Sequence, residues 1–187
     1  LVYTEYENFD DLVENVSFSL SQNRVIGWFQ GGSEIGPRAL GNRSIIASPI
    51  NSWMTGHINN DIKHREWYRP FAPAVLFEHQ GDVFESSVYS PYMLVTTTVK
   101  EEWRNKVPAI THIDNSSRHQ SVTVKNNPRF YSLISKFNEK TGVPVLLNTS
   151  FNGPHEPIVE TPMDAIGTFL SNNLDILVIN NIVITKG

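Results

Sequence analysis

A single α/β domain is the fold class this sequence predicts. Three observations point there. Segments with helical spacing are intermixed with short β-branched runs along the whole chain. The 187 residues, 40% hydrophobic, are enough to bury one core. No linker, repeat or low-complexity tract divides the chain into parts.

Taken in order, Phe9, Leu12, Val13, Val16 and Leu20 fall on one face of a helix that an Asn or Asp can cap at its start. Val25 to Phe29 is a short apolar run stopped by Gly31-Gly32 and reads as a buried strand. The stretch Gly31 to Asn42 carries four glycines and Pro37 and reads as a loop. Ser44 to Ala47 is a second strand, and Trp53 to Arg65 has helical character before the break at Arg69-Pro70. Ala72 to Phe77 and Met93 to Val99 read as strands, with weaker ones at Ala109 to Ile113 and Ser121 to Val124. Pro128 opens an amphipathic helix ended by Thr141-Gly142. Val143 to Leu147 is a buried strand running into Asn148-Thr149-Ser150. Thr161-Pro162-Met163-Asp164 starts a helix, and Ile176 to Ile179 and Ile182 to Ile184 close the chain as strands.

Composition removes several classes of function. There is no cysteine, so disulfides and thiolate metal sites are excluded, and a cytoplasmic setting is the expectation. No apolar run reaches the roughly 18 residues of a membrane span. A net charge of −4 argues against general nucleic-acid binding. The chain starts at Leu1 rather than Met and reads as part of something longer, or as a processed product. Charge is unevenly spread: from Arg24 to Arg69 there are six basic residues (Arg24, Arg38, Arg43, Lys63, Arg65, Arg69) against Glu34, Asp61 and Glu66. A basic, glycine-rich segment in an acidic protein points to a small anion as ligand; chance clustering with surface ion pairs is the plain alternative.

Four segments carry candidate chemistry. Glu34 to Ser44 sets Arg38 and Arg43 among glycines that let the backbone approach a ligand, and guanidinium forks suit phosphate or carboxylate oxygens. The segment follows neither the Walker A order nor the G-x-G-x-x-G fingerprint. Asn59 to Glu66 with Arg69-Pro70 supplies Lys63, Arg65 and Arg69; in an extended segment Lys63 and Arg65 would share a face. A solvated helix end explains that cluster equally well. Thr111 to Gln120 contains His112, Asp114 and His119, but without a metal-ligand spacing, so Arg118 is favoured there as an anion contact. Asn148, Thr149 and Ser150 follow a buried strand, where open α/β sheets bind ligands. No G-x-S-x-G elbow surrounds Ser150, which argues against a covalent serine mechanism.

Together these segments resemble one family. Gly27-Trp28-Phe29-Gln30-Gly31 with Glu34 to Ser44, then Lys63-His64-Arg65-Glu66, Arg69 to Pro73, and Gly142 to Asn152 followed by Glu156-Pro157-Ile158, are similar to the NodU/CmcH carbamoyltransferases. The match runs in register from about Val25 to the end of the chain. It implies that residues 1–187 form a YrdC-like C-terminal domain, a twisted, mixed, open sheet with helices and a basic concave face. It implies carbamoyl phosphate and ATP as substrates and carbamoyl adenylate as product. Transfer to an acceptor hydroxyl falls to an N-terminal domain of the actin/sugar-kinase type, outside this chain, where any divalent metal is mainly expected. The residues matching the family's anion positions are Arg38, Lys63, Arg69, Arg118, Asn148 and Ser150. Lys63 and Arg69 are expected to hold phosphate while Arg38 and Arg118 stabilise developing charge; Arg43, Arg65 and Thr149 join the binding set. His64 and Gly153-Pro154-His155 depart from the family's usual pattern. A competing reading keeps the fold but makes it a non-catalytic nucleotide- or RNA-binding module. A third, an interaction domain anchored by Trp53, Trp67 and Trp103, has less behind it.

Overall fold

A computed structural model describes all of residues 1–187. Its centre is one sheet of eight strands in the order β1-β10-β9-β2-β3-β8-β4-β7. The strands are β1 (Val2–Glu5), β2 (Ile26–Phe29), β3 (Arg43–Ala47), β4 (Ala72–Leu76), β7 (Gln120–Val122), β8 (Val145–Ser150), β9 (Ile176–Ile179) and β10 (Ile182–Thr185). The two-residue strands β5 (Thr97–Thr98) and β6 (Ser116–Ser117) pair separately. β2–β9 and β4–β7 are parallel and the other neighbours antiparallel, so the sheet is mixed and open, as expected.

The helices are α1 (Phe9–Ser21), α2 (Trp53–His57), α3 (Gln80–Val83), α4 (Glu101–Arg104), α5 (Pro128–Thr141) and α6 (Pro162–Ser171). Asn8 caps α1 by accepting from the Asp10 N–H, and Asn127 caps α5 through Phe130. Gly142, at φ +71°, ends α5 in the left-handed conformation that glycine adopts without strain. Thr161 and Asp164 form a reciprocal capping box on α6. α1 packs along α5, which lies against β4 and β8, while α6 lies against β2 and β9. The apolar faces of these helices and the central strands merge into one core of 44 buried residues, so the chain has a single core.

Several expectations need correction. The helix begun at Trp53 gives way to a π-type turn, Ile58–Ile62, and stops before Arg65. Only Thr97 and Thr98 of the Met93–Val99 run form a strand, because Met93 takes a left-handed backbone and Ser90 Oγ accepts from the Leu94 and Val95 N–H groups. Ala109 to Ile113 is not a strand; Pro108 opens a 3₁₀ turn over Pro108–Ile110. Asn148, Thr149 and Ser150, expected just after the strand, belong to β8 itself. β1 has no buried residue and no alternating pattern, and it exists by pairing with β10.

Gly41 shows how tightly the first loop is seated. Its φ is +100°, and a Cβ there would lie 2.2 Å from the Phe130 ring on α5. Gly41→Ala is expected to cost about 2–5 kcal/mol through backbone strain and overpacking together. Denaturant unfolding of the variant checks this, and a loss below about 1 kcal/mol contradicts it.

Candidate functional site

The loop from Gly31 to Asn42 runs over the sheet, and its backbone groups find side-chain partners. Glu34 Oε1 accepts from the N–H groups of Leu40 (2.7 Å), Asn42 (2.7 Å) and Arg43 (3.3 Å). Ser44 Oγ accepts from Gly41 N–H, and the Trp28 indole donates to Gly41 O at 2.9 Å. Asn148 donates to Ala39 O at 3.1 Å and Gln120 to Leu40 O at 2.7 Å. Buried backbone groups must be paired somewhere. Here the pairing fixes the loop, and with it Arg38, over the ends of β8, β4 and β7.

The register explains how Asn148 and Gln120 meet although β4 lies between their strands. Ala72 stands opposite Asn148 and Ala74 opposite Gln120. Residues two apart share a sheet face, so only alanine methyls separate the two amides. Asn148 Nδ2 reaches Gln120 Oε1 at 3.1 Å across that gap. With both Asn148 N–H bonds directed to Ala39 and Gln120, its Oδ1 is left buried without a partner.

Beside this network is a cavity of about 160 Å³ lined by Pro37, Arg38, Ala39, Arg65, Pro70, Phe71, Ala72, Met93, Arg118, Asn148, Thr149 and Ser150. The structure therefore brings together six of the candidates: Arg38, Arg65, Arg118, Asn148, Thr149 and Ser150. Arg65 is held from behind, its Nε donating to Asn59 Oδ1 at 2.7 Å and its guanidinium lying 4.9 Å from the Phe71 ring centre. Arg118 Nε is buried and unpartnered. Burial, and then the charge of Arg38, lowers the pKa of Arg118; burial, and then Arg69, lowers that of Arg65, with Glu66 opposing. No carboxylate lines the cavity. Guanidinium groups gathered in a cavity without a carboxylate have the chemistry that suits an anion.

Three candidates do not line the cavity. Arg43 is buried, stacks 3.5 Å from the Phe29 ring centre, and donates to the carbonyls of Gln30, Gly31 and Asn42. Arg69 is exposed and pairs with Glu66 at 3.1 Å. Lys63 lies just behind the cavity wall, its Nζ donating to Ser150 O (2.6 Å), Asn152 O (3.0 Å) and Asn152 Oδ1 (2.7 Å). Lys63 and Arg65 do not lie on one extended face, because His64 between them has φ +45°. In the third segment, His112 and Asp114 are engaged with Ser116 at the start of β6, and His119 stacks on Phe84 in the core, where burial lowers its pKa.

Sequence reasoning did not single out Asn59, Gln120, Phe71 and Met93. Asn59 is completely buried and also donates to Trp67 O and Arg69 O, so one amide holds the whole turn that presents Arg65. A polar residue in an otherwise apolar helical face, as Asn59 is between Ile58 and Ile62, is the signal that marks it. Met93 gives no such signal.

Comparison with known proteins gives a consistent result. The family model described as "Carbamoyltransferase C-terminus" matches residues 17–186. The nodulation protein NolNO of Sinorhizobium fredii is 44% identical over 98% of this chain, which spans 28% of that protein. A 3'-hydroxymethylcephem-O-carbamoyltransferase from Streptomyces clavuligerus is 44% identical over 73% of the chain and 26% of its own length. The chain thus spans about a third of the length of the curated relatives it matches. Among solved structures, full-length HypF in its phosphate- and nucleotide-bound form superposes with a TM-score of 0.62 at 16% identity, covering 98% of this chain and 22% of that one. Sua5 of P. abyssi, as an H234A/Y235A variant, gives 0.59 at 10% identity over 87% of this chain and 44% of its own. These likenesses show the fold, which is YrdC-like.

Lys63 yields a pH dependence. Burial, with a smaller contribution from Arg65, lowers its pKa from 10.5 to about 7. Below about 7 it is charged in the folded and unfolded chain alike, and its burial opposes folding. Between about 7 and 10.5 the unfolded chain holds a proton that the folded chain has released, so this residue's contribution to stability rises with pH. The unfolding free energy of the native chain relative to Lys63→Met should therefore increase across that window in denaturant titrations. A flat difference contradicts the assignment.

Proposed function

Because this chain belongs to the carbamoyltransferase C-terminus family, we propose that it is the carbamoyl-activating part of an O-carbamoyltransferase. In this reading carbamoyl phosphate binds in the cavity formed by Arg38, Arg65, Arg118 and Asn148, and ATP binds alongside it. Water cleaves the carbamoyl phosphate to carbamate and inorganic phosphate. A carbamate oxygen then attacks the α-phosphorus of ATP, pyrophosphate leaves, and carbamoyl adenylate results. Transfer from the adenylate to an acceptor hydroxyl belongs to a further domain of the longer protein.

The observation that carries this reading is the complementary pair of unpartnered atoms, Asn148 Oδ1 and Arg118 Nε. One accepts and the other donates. Carbamoyl phosphate offers an amide N–H₂ to the first and anionic oxygens to the second. A buried polar group without a partner costs about 1–3 kcal/mol, so a ligand that satisfies both gains what the empty site lacks. Size agrees: a cavity of about 160 Å³ is small beside sites of roughly 300–1,000 Å³ that hold drug-sized ligands. A nucleotide would extend into the adjoining hollow of about 290 Å³, which shares Pro70, Phe71, Ala72 and Arg118 and adds Thr96, His112 and Ser116. Arg118 lines both, and in this reading it contacts the phosphates of either substrate.

No side chain in the cavity is an evident general base. Catalysis in this reading comes from fixed positive charge and from holding the two substrates together, which are the usual means for phosphoryl chemistry. Lys63 acts indirectly, by fixing Ser150 and Asn152 at the end of β8.

Calorimetric titration with carbamoyl phosphate, with and without ATP, tests the reading. Arg118→Ala should weaken binding at least tenfold, about 1.4 kcal/mol, and Asn148→Asp should weaken it by placing a carboxylate against the anion. A folded native chain that binds neither ligand, or variants that bind as well as the native chain, would sink it.

A further inference from the structure

We propose that Met93 is a specificity-determining residue that limits the size of the group attached to the phosphate in the Arg38–Arg65–Arg118 cavity. The proposal rests on reading that cavity as a carbamoyl phosphate site and goes beyond it, because it concerns which other acyl phosphates are refused.

The connection from Phe84 to Thr96 leaves Val88, Tyr92 and Leu94 largely exposed, yet Met93 is only 4% exposed and lines the cavity. Its φ is +56°, a left-handed backbone that a residue with a side chain adopts only when its surroundings impose it. Those surroundings are a buried polar network. Ser90 N–H donates to Ser121 Oγ at 2.7 Å, and Ser121 N–H donates back to Ser90 O at 2.9 Å. Ser121 Oγ donates to Gln80 Oε1 at 2.6 Å, and Gln80 Nε2 donates to Ser86 O and Val88 O. Ser90 Oγ then accepts from the N–H groups on the far side of Met93, those of Leu94 and Val95. Gln80, Ser90 and Ser121 are each at most 3% exposed, so the loop is fixed on both sides of the methionine.

This fixation is coupled to the site. Ser121 follows Gln120, the residue that orients Asn148, so one strand sets both the polar anchor and the apolar wall. The cavity's polar lining is cationic or amide and hydroxyl; its apolar lining is Met93 with Ala39, Phe71, Ala72 and two prolines. A phosphate is held by the guanidinium groups, which leaves its uncharged substituent between Asn148 and the apolar lining. Small residues and a ring cannot adapt there, whereas an unbranched thioether fills the remaining space. The amino group of a carbamoyl substituent fits a space closed in this way, and a longer chain meets the methionine.

Met93→Gly and Met93→Ala test this. Both variants remove the side chain, and glycine also accepts the left-handed backbone that alanine does not, so the pair separates loss of the side chain from backbone strain. The probes are carbamoyl phosphate, methylphosphonate and butylphosphonate, titrated calorimetrically into each protein. The expected result is that the affinity for butylphosphonate relative to methylphosphonate rises at least tenfold in both variants. An unchanged ratio, or an equal loss for all three probes, overturns the proposal. Binding of methylphosphonate without carbamoyl phosphate by the native chain would overturn the carbamoyl reading and leave the size limit to be judged on the phosphonates. Binding of no probe by a folded native chain would overturn both.

Discussion

Everything at this site depends on how the loop from Gly31 to Asn42 satisfies its backbone while lying over a sheet. A loop without regular structure has no ladder to take its N–H and C=O groups, and burying them unpaired is prohibitively costly. Here the partners are supplied by individual side chains: Glu34 for three N–H groups, and Trp28, Gln120 and Asn148 for three successive carbonyls. The same contacts that allow the loop to cross also fix its height above β8 and β4. Arg38 therefore faces the cavity as a consequence of backbone accounting one residue further along.

The same accounting describes the two buried cations that do not line the cavity. Arg43 and Lys63 are the more deeply buried, and a reading from burial alone would rank them first. Lys63 directs its donors to the backbone oxygens of Ser150 and Asn152, and the Arg43 Nη atoms donate to those of Gln30 and Gly31 while its buried Nε has no partner. Arg38, Arg65 and Arg118 keep donors available, and at Arg118 one of them is buried with no partner. What distinguishes Arg38, Arg65 and Arg118 from these two is that they line the cavity.

This distinction also measures what the sequence reveals. The main helices and the inner strands follow from apolar spacing and caps, and Asn8, Pro128, Gly142 and Thr161 all stand where the chain's local chemistry places them. The residues of the candidate cavity were legible as motifs because glycines and arginines cluster in them. Which of nine candidates meet was not legible, since that depends on the register of β4 against β8 and β7 and on two small residues, Ala72 and Ala74, lying between two amides. Met93 was misread for a related reason. Met93 to Val99 has the β-branched composition of a strand, but the network of Gln80, Ser90 and Ser121, gathered from separate segments, imposes a backbone that no local propensity favours.

Rigidity of this kind has a chemical use. Three guanidinium groups line one small cavity; burial chiefly lowers the pKa of Arg118, with the charge of Arg38 adding to it, and burial and then Arg69 lower that of Arg65. A flexible site would turn the arginines outward, and an incoming anion would then have to gather them again. Asn59 holds the Arg65 guanidinium from behind, and Glu34 and the sheet amides fix the backbone beside Arg38. The reorganisation has already been met during folding, by a single core of 44 residues. Binding an anion then relieves strain instead of creating order, which is the condition under which fixed charges stabilise a transition state most effectively.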